Sequence, residues 1–306
     1  MIHAQDVNTI RNSLKWAITT LKRASIEVPE VDAGTLLAYV LSCKKANLYT
    51  NPDDTISVTN IGKYKELIYK RASHVPLQYI TRQVEFMSLD FIVDERVLIP
   101  RPETEILVET VLSKAHDNEF PNNHLLIMEV GTGSGNIAIS LAKNLNNVKI
   151  YTNDISHDAL TLAKENIKIH GVTDKVNLLH GDFFGTFIGS VEKKRIDFIV
   201  SNPPYVTEAE WHELEPEVKD NEPRQALVGG EDGLCFYRRI IKGAVDWLKP
   251  GGYLIIEIGE TQANSVITLM QDVLHFDNIE AIKDLHGKER IISARRKSCE
   301  DGQTIL

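Results

Sequence analysis

Leu125-Leu126-Ile127-Met128-Glu129-Val130-Gly131-Thr132-Gly133-Ser134-Gly135-Asn136 is the stretch that decides the fold of this 306-residue chain. Its apolar opening reads as a buried strand, and Ile137 to Lys143 beyond it reads as a helix. Glycine between a strand and a helix permits a tight turn and lets a ligand approach the backbone closely. The glycines alternate at 131, 133 and 135, whereas the third glycine of the G-x-G-x-x-G dinucleotide fingerprint falls one place later. A second strand-like run, Val148 to Asn153, ends in Asp154, 23 residues after Gly131. A carboxylate at that place can accept hydrogen bonds from ribose hydroxyls. Strand, glycine loop, helix, strand and terminal Asp in series predict an α/β fold that holds an adenosine-containing cofactor.

A third run, Asn177-Leu178-Leu179-His180, leads through Gly181 to Asp182 and Phe183. It repeats the pattern of a strand that ends in an acid, with an aromatic next to it. A fourth, Ile196-Asp197-Phe198-Ile199-Val200-Ser201, is stopped by Asn202-Pro203-Pro204-Tyr205. Paired prolines end a strand abruptly, and the carboxyl end of a strand is where open α/β sheets handle ligands. Taken alone, such a motif reads as a turn. Opposite the glycine loop it reads as the second wall of a crevice. Asn202 Oδ1 and the Pro203 carbonyl can both accept hydrogen bonds, and the Tyr205 ring lies beside them in sequence. Two acceptors next to a flat ring suit a planar –NH2 group, either an amide or an exocyclic base amine.

The rest of the chain supplies a frame. Residues 1–73 read as a small helical bundle, with Ile10, Leu14, Ile18 and Leu21, then Leu36, Leu37, Val40 and Leu41, then Tyr64, Leu67 and Ile68 at helical spacing. Residues 74–99 read as a β-hairpin linker, in which Val84-Glu85-Phe86 and Leu89 to Val93 flank Met87-Ser88. Residues 100–306 read as the catalytic domain, with later strands at Tyr253 to Ile258, Asn278 to Lys283 and Arg290 to Ala294. Ser156 caps a helix that ends before Gly171. The acidic stretch Glu208 to Glu213 reads as mobile, either a lid or a solvated loop. Glu257 and Glu260, at or near a strand end, read as structural.

A hydrophobic content of 42% and a charged content of 25% are those of an ordinary globular protein. A net charge of −9 provides no global positive field to recruit nucleic acid. Met1 to Asp6 lacks a signal-peptide pattern and no apolar run is long enough to span a bilayer, so the cytoplasm is the expected compartment. Cys43, Cys235 and Cys299 lie too far apart in sequence to suggest a disulfide framework or a metal site.

The glycine loop joined to Asn202-Pro203-Pro204-Tyr205 resembles the class I S-adenosylmethionine-dependent methyltransferases that act on planar nitrogen. Further stretches narrow this to the PrmC/HemK family of glutamine-N5 methyltransferases, which modify peptide chain release factors. They are Leu98-Ile99-Pro100-Arg101-Pro102-Glu103-Thr104-Glu105, Glu222-Pro223-Arg224-Gln225-Ala226-Leu227, Gly229 through Leu234 to Arg238, and Asp284 to Ile291. The resemblance implies a Rossmann-like methyltransferase sheet that ends in an antiparallel hairpin, behind a helical N-terminal domain that docks substrate. S-adenosyl-L-methionine is then the cofactor, held by Gly131, Thr132, Gly133, Ser134, Gly135, Asp154, Asp182, Phe183 and Asn202. Many relatives carry tryptophan where Phe183 stands, and Phe183 also reads as an ordinary core residue.

The implied substrate is the glutamine of the Gly-Gly-Gln (GGQ) loop of class I release factors, methylated on its side-chain nitrogen N5. Asn202, Pro203, Pro204 and Tyr205 bind it, with Asn202, Pro203 and Tyr205 as the catalytic set. No metal, membrane or direct nucleic-acid partner is implied, and no residue stands out as a general base. Arg101 and Glu103 lie near the crevice by the same likeness, and they read as an ion pair fixing the linker to the core. Glutamine methylation of a ribosomal protein, adenine-N6 methylation of nucleic acid and a non-enzymatic adaptor are the alternatives.

Overall fold

The computed structural model describes residues 8–116 and 124–298, so Met1 to Asp6 and Cys299 lie outside the described residues. The chain forms two compact units. One takes the described residues up to Gln83 together with Glu215–Asn221, and the other takes Val84–Leu214 and the described residues from Glu222 onward.

The first unit is helical, with α1 (Ile10–Arg23), α2 (Pro29–Leu41), α3 (Lys45–Thr50), α4 (Val58–Ala72) and α5 (Leu77–Thr81). Thr9 and Ser57 cap α1 and α4 by accepting the N–H groups of Asn12 and Asn60. Pro29 opens α2, where its missing donor costs nothing. Ala17, Leu21, Leu36, Leu37, Tyr64 and Ile68 are fully buried between the helices, and the Tyr64 hydroxyl donates to the Ala33 carbonyl at 2.9 Å. The helical part thus runs past residue 73. Leu77–Thr81 forms a turn of helix where the sequence reads strand-like, because Leu77 and Ile80 pack against this core and tertiary packing outweighs the local preference.

The second unit opens with the hairpin β1 (Gln83–Phe86) and β2 (Leu89–Ile92). Met87 and Ser88 both take positive φ in its turn, at 50° and 58°, the twist that a two-residue hairpin demands. A 3-10 turn, Pro102–Thr104, then leads into α6 (Glu105–His116). Strands and helices alternate from there: β3 (Leu125–Val130), α7 (Asn136–Asn144), β4 (Val148–Asp154), α8 (His157–Ile169), β5 (Val176–His180) and β6 (Ile196–Ser201). Next come α9 (Glu208–Glu213), α10 (Pro216–Lys219, in the first unit), α11 (Cys235–Trp247), β7 (Leu248–Glu257), α12 (Ala263–Asp272), β8 (Phe276–Lys283) and β9 (Glu289–Arg296).

The expected sheet is present. Seven strands run in the order β5-β4-β3-β6-β7-β9-β8. Those from β5 to β7 are parallel, and β9 is antiparallel to both β7 and β8. One face is covered by α6, α7 and α8 with the hairpin aromatics Phe86 and Phe91, and the other by α11 and α12. Burial on both faces explains why the central strands β3 and β6 read as near-continuous apolar runs. The acidic stretch after Tyr205 is ordered as α9, in a capping box where Thr207 and Glu210 satisfy each other's backbone donors. Arg224 pairs with Glu208 and lies over the Trp211 ring. Among the described residues no helix is long and apolar enough to cross a membrane.

Arg71 is the polar centre of the helical unit. Its guanidinium donates to Asp32 Oδ2 at 2.6 Å, to the Val75 carbonyl at 3.2 Å and to Glu217 Oε2 at 2.7 Å. The last contact joins α10 to this unit. The Asp32 and Arg71 side chains are 4% and 6% exposed, and removing one partner leaves the other charge buried alone. Arg71→Met should therefore cost about 3–5 kcal/mol, seen as loss of helical signal at lower urea concentration than in the wild-type protein.

Candidate active site

Strand register gathers the sequence motifs at one end of the sheet. Val130 pairs with Asn153, Glu129 with Val200 and Ser201 with Ile256. One residue further on, Gly131, Asp154, Asn202 and Glu257 stand level at the carboxyl ends of β3, β4, β6 and β7. The chain leaves β3 for β4 on one side, and β6 lies on the other, so this is the topological switch point. Side-chain and backbone bonds pin the ends together. Ser201 Oγ donates to the Val130 carbonyl at 2.7 Å. The Gly131 and Thr132 amides donate to the Asn153 carbonyl at 3.0 and 2.9 Å.

A cleft with about 1020 Å³ of empty space opens there. Gly131, Thr132, Gly133, Ser134, Asp154, Asp182, Phe183, Asn202, Pro203 and Pro204 line it, together with Arg101 and Thr104. Gly133 has φ +51° and donates its N–H to Asp154 Oδ2 at 3.0 Å, and Asp154 Oδ1 accepts from the Ser156 amide at 2.9 Å. A carboxylate has about four lone-pair positions, so two remain. Gly135 and Tyr205 are not brought into the lining. Gly135 is the N-cap of α7 at φ +83°, and a Cβ there would crowd Ile139 at 3.2 Å. Tyr205 packs beneath the loop against the core, and burial pushes its hydroxyl up to about 12.

The aromatic wall is held by a residue the sequence did not single out. Arg239 pairs with Asp182 at 2.6 Å, and its guanidinium lies 3.5 Å from the centre of the Phe183 ring. Phe183 sits at φ +48°, with its carbonyl and that of Gly181 accepting from Asn153 Nδ2 at 3.1 and 3.0 Å.

The loop carrying Asn202 is fixed from below. The Val206 amide donates to Leu227 O and the Gly229 amide to Val206 O, at 2.9 and 2.8 Å. Gly229 is required by this approach, since a Cβ there would lie 2.6 Å from Pro204 O and 2.8 Å from Tyr205 Cα. Gln262 Nε2 donates to the Tyr205 carbonyl at 3.0 Å, while its Oε1 accepts from the Gly259 amide and the Tyr237 hydroxyl. Buried Glu222 accepts from the Ile99 amide at 3.1 Å and from Arg101 at 2.5 Å, so the partner of Arg101 is Glu222.

Glu257 has a larger part than its sequence position implied. It is 2% exposed, and its Oε2 accepts the Thr104 hydroxyl at 2.6 Å. Thr104 Oγ1 in turn accepts from Asn202 Nδ2 at 3.1 Å. Burial, aided by Glu103 and opposed by Thr104, Arg290 and Asn202, pushes the Glu257 carboxyl up to about 7. Burial likewise raises Glu129, below the glycine loop, to about 8. An acid closing the apolar run Tyr253-Leu254-Ile255-Ile256 was the available signal for Glu257, but neither Thr104 nor Glu222 announces its partner in sequence.

Two family models match the chain: the PrmC N-terminal domain over residues 12–81 and the methyltransferase small domain over residues 103–216. The release factor glutamine methyltransferase of Clostridium acetobutylicum is 41% identical, over 94% of this chain and 98% of that protein. Its namesake from Moorella thermoacetica is 39% identical, over 94% of this chain and 99% of that protein. Among solved structures, the hMettl16 catalytic domain in complex with MAT2A 3′UTR hairpin 6 superposes with a TM-score of 0.54 at 14% identity, over 78% of this chain and 84% of that one. That likeness bears on the fold alone. Identity of this level along nearly the whole length of its relatives makes the chain a member of the release factor glutamine methyltransferase family, with the class I methyltransferase fold in its second unit.

Proposed function

We propose that the protein methylates N5 of the glutamine in the GGQ loop of class I peptide chain release factors, with S-adenosyl-L-methionine as donor. One observation carries the proposal: Asn202 stands level with the glycine loop and its amide N–H2 is turned away to Thr104. Its Oδ1 and the Pro203 carbonyl are then acceptors at the cleft, and among the described residues neither accepts a hydrogen bond.

The residues present suit the donor. A Cβ built on Gly131 or Gly133 meets no atom within 4 Å, so the loop backbone is open on that side. Asp154 has two lone-pair positions for ribose hydroxyls, and Phe183, stacked with Phe236, stands in the cleft wall on the adenine side. We assign Thr132 and Ser134 to the same cradle, and Asp182 to the adenine edge. When bound, the donor supplies an electrophilic sulfonium methyl.

The chain's own part is to prepare the nucleophile. A carboxamide nitrogen is weak because its lone pair is delocalised into the carbonyl. Accepting both N–H bonds, at Asn202 Oδ1 and Pro203 O, raises electron density on nitrogen and fixes its plane. Pro204 shapes the wall, and Tyr205 acts from below by holding the loop. Positioning of this kind supplies on the order of 7–11 kcal/mol of a barrier, and excluding water strengthens both contacts. We assign residues 100–306 as the catalytic domain and the N-terminal helical part as the substrate-docking domain, joined by the hairpin. The compartment this substrate implies is the cytoplasm.

The deciding experiment is methyl transfer from labelled S-adenosylmethionine to a purified class I release factor, beside a copy with the GGQ glutamine replaced. Label in the first alone is expected. Label appearing instead on ribosomal protein or DNA overturns the substrate assignment. Asn202→Ala should lower turnover on the order of 10²-fold with cofactor affinity kept. Asp154→Ala should instead weaken cofactor binding, by roughly 10- to 100-fold for a lost charged hydrogen bond, measured by calorimetry. Gly229→Ala must displace Pro204 and Tyr205, and a shift of that size should cost roughly 10- to 100-fold in turnover, while the circular dichroism spectrum stays that of the wild-type protein.

A further inference from the structure

We infer that Thr104 and Glu257 are positioning residues for the Asn202 amide, and together fix which end of it faces the cleft. The inference rests on the methyl-transfer reading above and adds to it what sets the polarity of the receptacle.

A side-chain amide has two nearly isosteric ends, one that only donates and one that only accepts. A receptacle for a substrate –NH2 works with one of them alone, since the wrong end would set two donors against each other. Among the described residues, the Asn202 side chain makes no hydrogen bond to Asp154 or the glycine loop that would settle the choice. Its amide meets Thr104 Oγ1 at 3.1 Å, and Thr104 Oγ1 meets Glu257 Oε2 at 2.6 Å. Thr104 and Glu257 are 1% and 2% exposed, so water does not compete for either bond.

The polarity follows from proton counting. An ionised carboxylate accepts only, so it claims the single Thr104 hydroxyl proton. Toward Asn202 the threonine oxygen then presents only lone pairs, and the amide must turn its N–H2 inward. Oδ1 is left for the cleft. A protonated Glu257 no longer compels this order. Its O–H can donate to Thr104, which frees the threonine proton to turn to Asn202 and draw the amide carbonyl inward, with N–H2 facing the substrate. The acceptor form therefore belongs to ionised Glu257.

The charged and titratable groups facing Glu257 come from four elements: Glu103 from the 3-10 turn, Arg290 from β9, Tyr205 from the loop after β6, and Tyr237 from α11. The Tyr237 hydroxyl, whose one proton is shared with Gln262 Oε1, lies 3.3 Å from the Glu257 backbone carbonyl. Arg290 favours ionisation and Glu103 opposes it, but burial outweighs both and brings the carboxyl to about 7. Turnover should accordingly rise with pH through that region, because the ionised form is the working one.

The test compares wild-type protein, Thr104→Val, Thr104→Ser and Glu257→Gln, with release factor and labelled S-adenosylmethionine, across pH 5.5–9. Thr104→Val should lose at least about tenfold in kcat, with KM and cofactor affinity within about threefold of wild type, the pattern for an interaction made mainly in the transition state. Thr104→Ser, which keeps the hydroxyl, should recover most of that loss. Glu257→Gln should flatten the rise of kcat with pH near neutrality. Wild-type kcat in Thr104→Val, equal damage in Thr104→Ser and Thr104→Val, or a surviving pH limb in Glu257→Gln overturns the inference alone. A wild-type protein inert toward release factor takes down the substrate assignment, and the inference with it.

Discussion

The register in which β3, β4, β6 and β7 end is the constraint on which everything else at the cleft depends. Parallel pairing sets Val130 against Asn153, Glu129 against Val200 and Ser201 against Ile256. A one-residue slip of β6 would send Asn202 to the opposite face. It would also separate Ser201 Oγ from the Val130 carbonyl and lift Asn202 off Thr104. Because both faces of the sheet are packed, such a slip would set every side chain of β6 against the wrong neighbours in a close-packed core. The core thereby fixes the geometry of chemistry that lies wholly outside it.

Loops leaving a sheet end expose backbone donors and acceptors that must find partners. Here a few buried polar side chains meet that need and link loops far apart in sequence. Asn166 is bonded to both backbone groups of Ile92 and donates to the Ser134 carbonyl, tying the hairpin to the glycine loop. Asn153 gathers Gly181 and Phe183. Glu222 holds Ile99 and Arg101, and Gln262 holds Tyr205. Each is an amide or carboxylate with several bonding positions, so one side chain can set the spacing between two loops. The cleft walls are therefore braced by bonds, and their shape does not depend on loop composition alone.

Much of this was legible in the sequence because it is local. Strand–glycine–helix, strand–Asp and strand–Asn-Pro-Pro-Tyr are written in consecutive residues, and alternation between them predicts a parallel sheet. The hidden parts are relations between distant positions. Thr104 and Glu257 are 153 residues apart, and Arg101 and Glu222 are 121 apart, with nothing in either segment to mark its partner. Periodicity failed at Leu77–Thr81, where β-type residues became helical once Leu77 and Ile80 had a helical core to enter. At Glu208 to Glu213 the acidic composition hid a helix start, the Thr207–Glu210 capping box. The sequence also gives no sign that, of the three alternating glycines, Gly135 is the one packed close to Ile139 and Ala163.

Glu257 brings stability and function into opposition. Its carboxyl in the folded protein sits at about 7 against an ordinary 4.5, so the folded state binds the proton more tightly than the unfolded chain does. By linkage, its contribution to stability is complete below about pH 4.5 and is lost as pH rises through about 7. Glu129, at about 8, acts in the same direction. The proton that steadies this end of the sheet is also the one that lets the Asn202 amide turn the wrong way. A fully apolar residue at 257 would avoid the cost, but it would leave the Thr104 hydroxyl without an acceptor and the amide without a preferred orientation. The buried acid is thus a local destabilisation near neutral pH, in return for one polarity at the receptacle, and the surrounding seven-stranded core makes it tolerable.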